Sequence, residues 1–233
     1  MSSGIQVTNA SGILQIDETY RRLLKVASGT CTTLSGSGTN VISFTAQTTC
    51  APLIFFRPAS DGVYVGPNTF NNNSFSVQNN GNFDWVVYGL DSPVALDGTT
   101  MGMQVFDTSG STIYDSRYEG VRIQSTYTVT QPYPDSYLIG APGAGNCAYP
   151  YTYTFTGWGA KPWICLNGLF WLDDGNSSTI CATTSGTNAI IINCGCILSG
   201  TAWSMYTNNG SSGSYTRSYP GGVLRVPVAR RDF

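Results

Sequence analysis

The chain has 233 residues and a net charge of −2; only 10% of its residues are charged, and 41% are hydrophobic. This hydrophobic content argues against intrinsic disorder, which requires low hydrophobicity and high charge, and the length suffices for one large β-domain or two small ones. Because no run of Lys and Arg resembles a phosphate-tracking stripe and no apolar run approaches the roughly 20 residues of a membrane span, we expect neither a nucleic-acid partner nor a membrane span.

The N-terminal segment has no basic region followed by an apolar stretch. The sequence as written therefore predicts no secretory signal and folding in a reducing cytosol. The seven cysteines, an odd number, then argue against a disulfide framework. His is absent, and the closest cysteine pair, Cys194 and Cys196, lacks the spacing and the second pair that a zinc site needs. We expect small buried thiols and no metal or cofactor.

A β-hairpin motif occurs twice along the chain. Residues 4–12 read GIQVTNASG and residues 102–110 read GMQVFDTSG, and Asp17 and Asp115 follow at matching positions. The offset is 98 throughout, and residues 4–23 and 102–121 share seven identities in twenty positions. Gln-Val begins a strand, Asn/Asp-x-Ser-Gly forms a turn, and the next strand ends in Asp. Each copy therefore predicts strand, turn and strand.

Short strands are predicted along the rest of the chain. Runs rich in β-branched and aromatic residues, bounded by Gly, Pro or Asn, occupy residues 41–45, 53–57, 84–88, 149–155, 187–193 and 203–206. The last segment, 223–233, alternates and contains Pro227, which predicts a final strand at a sheet edge or strand end, an edge where subunits would dock. Together with frequent turn residues, these runs predict an all-β, antiparallel, sandwich-like fold.

The repeated hairpin indicates how the chain is divided. We predict two related β units, each opened by a β-hairpin. The first is an N-terminal β domain, residues 1–98, and the second is an aromatic-rich C-terminal β domain, residues 99–233. The alternative is a single sandwich that contains two similar hairpins.

The hairpin motif, G-[IM]-Q-V-x-[ND]-x-S-G-x-x-x-[IY]-D, resembles the opening of small virion proteins encoded in the tail regions of siphophages and prophages. The resemblance rests on residues 4–20 and 102–118. The charge-poor remainder, rich in Gly, Ser, Thr, Asn and Tyr, is similar in composition to tail-fibre and adhesin sequences. The resemblance implies a non-enzymatic baseplate, tail-tip or tail-fibre component, made in the host cytoplasm and located in the virion. It supplies no catalytic residues.

Catalytic chemistry has little support in the sequence. Without His, Ser-His-Asp and Cys-His arrangements are excluded and the commonest general base is missing. A glycosidase requires two carboxylates flanking a cleft. Glu18 and Glu119 are the only Glu residues, and most Asp residues lie beside Gly, Ser or Asn, as turns require. Residues 173–176, Asp-Asp-Gly-Asn, are interpreted as a plain turn rather than a Ca²⁺ loop. We predict no enzyme, and a small Asp-dependent glycan hydrolase is the third hypothesis.

Aromatic residues are the best lead to a binding surface. Trp and Tyr beside Asn and Gly give large contact areas at small entropic cost, as carbohydrate and protein interfaces require. The alternative is a large aromatic core. The candidate surface-binding residues are Tyr151, Trp158, Trp171, Trp203 and Tyr206.

The scarcity of charge favours extensive subunit contact, because immobilising Ser or Thr costs less entropy than immobilising Lys or Glu. The first hypothesis is a structural phage-tail protein that forms a homo-oligomer, with a trimer favoured, and that contacts other tail proteins and a host-surface glycan or protein. The second hypothesis is a lectin-like receptor-binding adhesin. A soluble monomer with a neutral surface is the alternative to the oligomer.

Overall fold

The computed structural model is built from strands. It describes residues 7–8, 14–16, 22–32, 39–95, 101–106, 110, 112–130, 149–154, 160–169, 181–185, 189–194, 196–199, 202–205 and 223–229. These residues contain eighteen strands, a single 3₁₀ turn at Asn167–Leu169 and no α-helix, and every strand pairing is antiparallel. The predicted all-β, antiparallel fold is confirmed. None of the described residues belongs to a helix that could cross a bilayer.

The first half of the chain contributes eight strands. They are β1 (Val7–Thr8), β2 (Leu14–Ile16), β3 (Leu24–Cys31), β4 (Asn40–Ser43), β5 (Leu53–Pro58), β6 (Val65–Phe70), β7 (Ser74–Asn79) and β8 (Phe83–Gly89). The second half contributes ten. They are β9 (Gln104–Phe106), β10 (Thr112–Asp115), β11 (Ile123–Thr130), β12 (Tyr149–Thr154), β13 (Trp163–Cys165), β14 (Cys181–Ser185), β15 (Ala189–Cys194), β16 (Cys196–Ser199), β17 (Ala202–Met205) and β18 (Val223–Ala229).

Two six-stranded sheets form a sandwich. The first sheet has the order β11-β18-β13-β5-β8-β3, and the second has the order β12-β15-β14-β6-β7-β4. Three further hairpins, β1–β2, β9–β10 and β16–β17, form small sheets of their own. Apolar side chains from both large sheets meet between them, including Phe56, Phe83 and Ile164 from the first and Val65 and Phe75 from the second. Full burial of one such aromatic side chain stabilises the fold by roughly 2–3 kcal/mol.

Both large sheets repeat the same strand order in the two halves of the chain. If strands are matched in chain order, β3, β5 and β8 correspond to β11, β13 and β18 in the first sheet. Likewise β4, β6 and β7 correspond to β12, β14 and β15 in the second. In each sheet the three strands of one half run outward from a central junction in the mirrored order of the other half. The halves are therefore related by a pseudo-twofold axis that passes between β5 and β13 and between β6 and β14.

The registers confirm that the sequence repeat is a structural repeat. In the first hairpin Val7 pairs with Ile16 and Thr8 pairs with Leu14. The residues 98 positions later form the same pairs in the second hairpin, Val105 with Tyr114 and Phe106 with Thr112. The same correspondence continues into the edge strands. A bulge leaves Val26 of β3 without a partner in β8, and a bulge leaves Gln124 of β11, 98 positions later, without a partner in β18. Both predicted hairpins are present, and each opens a stretch of chain with the same strand order; the two stretches contribute to one sandwich with a shared core.

Equivalent residues meet on the axis. Val121 donates its backbone N–H to the carbonyl oxygen of Leu23, its counterpart 98 positions earlier, at 3.1 Å. One layer below, Phe55 pairs with Cys165 at the junction of β5 and β13. In the second sheet the junction is the single pair of Val65 and Ala182. The predicted boundary between residues 98 and 99 lies outside the described residues and stays a prediction. Each half of the chain supplies three strands to each of the two large sheets.

The first sheet is buried on both faces. Its outer face carries a second apolar cluster, which consists of Phe55, Val86, Tyr88, Trp163, Cys165 and Ala229; Leu53 of β5 packs beside it, and Leu23 and Val121 cover it. Double burial explains why Leu53–Pro58 is an almost continuous apolar run rather than an alternating one. The cover comes from the segments that follow the two hairpins, so these segments lie on the outer side of the first sheet.

The prediction that the last strand lies at a sheet edge is wrong. Strand β18 lies inside the first sheet, between β11 and β13. Its ladder with β13 covers only Ala229 and Val228 and ends before Pro227. The missing N–H of Pro227 therefore removes no bond to β13, and an interior strand tolerates the proline.

Candidate functional site

The most distinctive surface of the described chain lies where the first unit passes into the second. We call the described residues between 94 and 123 the hairpin segment; they include the β9–β10 hairpin. Backbone hydrogen bonds fasten it to β3, from the N–H of Val94 to the carbonyl of Lys25 at 2.8 Å and from the N–H of Lys25 to the carbonyl of Glu119 at 2.8 Å. A bridge between Ala95 and Tyr118 ties its two ends together. The segment is thus held firmly against the outer side of the first sheet.

A buried carboxylate fixes the base of this hairpin. Asp115 is 2% exposed, and the Nε of Arg117 donates to both its oxygens, at 2.9 and 3.1 Å. The backbone N–H of Arg117 and the side-chain amide of Gln104 donate as well, at 2.9 and 2.7 Å. The side-chain bonds from Arg117, more than any other influence, hold the pKa of Asp115 well below its ordinary range, and the same bonds raise the pKa of Arg117.

A second buried carboxylate joins the hairpin segment to the body of the first unit. The hydroxyl of Tyr88, on β8, donates to Oε1 of Glu119 at 2.7 Å, and the Nζ of Lys25, on β3, lies 3.3 Å from Oε2. Glu119 is 7% exposed. A paired buried carboxylate of this kind is costly to break, because either partner left alone is a buried unpaired charge.

Exposed apolar side chains concentrate on the same segment. Among the residues whose burial is described, six large hydrophobic ones are exposed, and all but Val41 belong to the hairpin segment, namely Val94, Met101, Met103, Phe106 and Ile123. The opposite side of the hairpin is packed, since Val105 contacts Tyr114. The guanidinium of Arg22 also lies 5.4 Å from the centre of the Tyr114 ring. Several exposed apolar residues on one short segment make it a candidate interaction site.

The other described carboxylates also have partners inside the chain. Asp61 pairs with Lys161, and Asp84 with Arg57, whose guanidinium also lies 4.8 Å from the centre of the Trp163 ring. Asp91 accepts bonds from the hydroxyls and backbone N–H groups of residues 48 and 49, and these bonds, led by the Thr49 hydroxyl, lower its pKa to about 2. No group of three or more potential metal ligands occurs among the described residues. All five described carboxylates thus serve as structural acceptors.

The three cysteines whose side chains are described, Cys31, Cys50 and Cys165, are free. Cys31 and Cys165 are buried and Cys50 is half-buried, and no disulfide joins them. Burial raises the pKa of the Cys165 thiol to about 11, which suppresses the reactive thiolate. The expectation of buried thiols is confirmed for Cys31 and Cys165.

The predicted aromatic surface is only partly described. Tyr151 lies in β12 opposite Ile192, and Trp203 lies in β17 opposite Leu198. Trp158, Trp171 and Tyr206 lie outside the described residues, so their grouping into one surface stays a prediction.

Two other aromatic residues of the second half are structural. Trp163 is buried in the outer cluster of the first sheet. Tyr153 packs against Tyr127, with ring centres 4.7 Å apart, and donates to the carbonyl of Thr128, so it connects an edge strand of one sheet to an edge strand of the other. For these two residues the aromatic-core interpretation is correct.

Sequence reasoning missed the hairpin segment as a site. The Asp-x-Arg spacing of Asp115 and Arg117 was a usable signal, because residues two apart can share a face and form an ion pair. The contact between Glu119 and Lys25 had no local signal, since the two residues lie 94 positions apart. Comparison of the chain with protein-family models, with curated proteins and with solved structures gave no match. The clues to function come from the chain's own motif, surface and strand pairing.

Proposed function

We propose that this chain is a structural, non-enzymatic component of a bacteriophage tail, in the baseplate, tail tip or fibre, that assembles through β-rich subunit contacts. The proposal starts from the repeated hairpin motif and its resemblance to the opening of tail-region proteins. The observation that carries it is the number of exposed apolar side chains on the hairpin segment, whose base is held by buried carboxylates. Met101 is 86% exposed, and Met103 and Phe106 are 53% and 52% exposed.

Rigidity is what makes this surface suited to docking. Binding is weakened by the entropy lost when loops and side chains become ordered, so a surface that is already fixed loses less on association. The ion pair of Asp115 and Arg117 and the contacts of Glu119 fix the segment before any partner arrives. The charges of these carboxylates are neutralised by Arg117 and Lys25. The exposed methionine and phenylalanine side chains of the segment are then available for contact with the partner.

The described carboxylates support a structural role rather than hydrolysis. A glycosidase needs one carboxylic acid that donates a proton and a second carboxylate that attacks or activates water. The low pKa of Asp91 and of Asp115 is unsuited to donating a proton near neutral pH. Glu119 is committed to Tyr88 and Lys25 in a buried contact.

The test is mass spectrometry of purified virions from the host that encodes the chain, combined with immunogold imaging of the intact particles. The proposal predicts peptides of the chain at a fixed ratio to other tail proteins, and gold at the tail. Complete virions that lack these peptides would contradict it. Binding to host polysaccharide by the isolated chain, with no virion incorporation, would instead favour the lectin-like adhesin.

A further inference from the structure

The four edge strands of the sandwich differ in how they are protected from pairing with other chains. Natural sheet edges are blocked by bulges, proline or charge, because an open edge is a template for another strand. In the first sheet, both edge strands carry a bulge, at Val26 in β3 and at Gln124 in β11. In the second sheet, edge strand β12 contains Pro150. Edge strand β4 has neither bulge nor proline and carries no charged residue.

Strand β4 also has the geometry of a strand ready to pair. It pairs with β7 in an unbroken register from Asn40 to Ser43, and no described strand occupies its other side. Ile42 is half-buried and packs against the core between the sheets. Val41 points to the opposite face and is 70% exposed. The strand is therefore anchored by one face and presents an apolar residue on the other.

We propose that β4 pairs antiparallel with β4 of a second copy of this chain, which extends the second sheet across a twofold axis. The inference deepens the self-assembly part of the proposed function and rests on it, with a twofold dimer in place of the trimer favoured from the sequence. In this register Val41 lies opposite the Val41 of the second copy, and Ile42 lies opposite its Asn40. Side chains of like orientation then share a face, as antiparallel pairing requires.

The internal junctions of the chain show that its units already associate in this way. At the centre of the first sheet the units meet edge to edge, with Phe55 and Cys165 opposite each other on the pseudo-twofold axis. The second sheet, which has β4 at one edge, also joins the two units edge to edge, through the pair of Val65 and Ala182. A second copy at β4 continues the same sheet by the same kind of contact. The short, neutral sequence Asn-Val-Ile-Ser brings no like charges together across the axis.

The solution mass of the full chain tests the proposal. We expect a dimer of the 24.9 kDa chain by sedimentation velocity, and we expect Val41→Lys to shift it to a monomer, because two lysines would then face each other on the axis. The matched control is Thr45→Lys, since Thr45 is exposed and follows the strand. It should stay dimeric, and both variants should keep the β-type circular dichroism of the parent. A monomeric parent, or a Val41→Lys variant with the mass of the parent, overturns the proposal.

Photo-crosslinking locates the contact. The chain with p-benzoylphenylalanine at position 41 should give a chain-to-chain adduct that maps to residues 39–43, and the same group at position 45 should give at least fivefold less of it. Adducts that map elsewhere overturn the inference. A stable oligomer that forms without β4 would leave self-assembly intact while this inference fails. If the chain is absent from virions, the proposed tail function is wrong, but the β4 dimer in solution is not contradicted.

Discussion

The two sides of the pseudo-twofold axis have diverged in chemistry although their backbones correspond. On one side Lys25 and Tyr88 hold the buried carboxylate of Glu119. At the equivalent positions on the other side, the register places Ile123 for Lys25 and Ala229 for Tyr88, and Ile123 is 46% exposed. One side anchors the hairpin segment through a buried ion pair, and the other has two apolar residues there, of which Ile123 is exposed and Ala229 is buried. The comparison shows how a duplicated unit can acquire rigidity in one copy and a contact surface in the other.

The largest expected effect concerns the pair on the axis itself. Phe55 and Cys165 are both buried and occupy equivalent places, one large and one small. Phe55→Ala should lower the free energy of unfolding by about 4 kcal/mol, because it leaves a cavity in the outer cluster. Cys165→Ala should lower it by only about 1 kcal/mol. Urea denaturation of both variants measures the difference, and equal losses would contradict the unequal packing of the axis.

The next effect compares Lys25 with its counterpart Ile123. Lys25→Ala should cost about 3 kcal/mol, because Glu119 is then a buried charge without its cation. Ile123→Ala should change stability by no more than about 0.5 kcal/mol, since the side chain is exposed. Adding Glu119→Gln to Lys25→Ala should restore part of the loss, because a neutral amide can still accept the bond from Tyr88. If the double variant were less stable than Lys25→Ala, the unpaired-charge explanation would fail.

A smaller effect is the pH dependence that Asp115 contributes. Its pKa is lowered in the folded state, so its stabilisation is complete above the unfolded-state value of roughly 4 and is lost as the pH falls below it. Arg117→Ala should lower the stability at pH 7 by less than Lys25→Ala does, because Arg117 is partly exposed, and it should flatten the decline in stability between pH 5 and pH 2. Thermal unfolding across this range measures both. An unchanged slope would show that Arg117 does not set the pKa of Asp115.

The smallest effect on stability should come from the docking face. Phe106→Asp should change the free energy of unfolding by no more than about 1 kcal/mol, because Phe106 is half-exposed on a two-stranded hairpin. Its effect on incorporation into tails should be large, since a carboxylate would be buried at the interface. Val105→Asp is the contrasting variant, because Val105 faces the packed side and its loss should unfold the hairpin. Normal incorporation of Phe106→Asp would exclude this face as the contact.

The sequence predicted those features that depend on local pattern. The all-β class followed from short β-branched runs between turn residues, and both hairpins followed from the repeat at an offset of 98. What it could not predict was which distant strands pair, because pairing is selected by packing across the whole core. Pro227 therefore indicated an edge, although β18 lies inside the first sheet. The contact of Glu119 with Lys25 depends on the same long-range pairing, and the predicted aromatic residues Trp158, Trp171 and Tyr206 lie outside the described residues.

The most direct test of the docking role is the oxidation of Met101 and Met103 in two states of the protein. Both side chains are exposed in the isolated chain, and exposed methionine is converted readily to its sulfoxide. Brief peroxide treatment followed by peptide mass spectrometry should show both residues oxidised in the isolated chain and at least fivefold protected in assembled tails. Equal oxidation of both residues in the two states would contradict the account, because the hairpin segment would then face solvent in the virion.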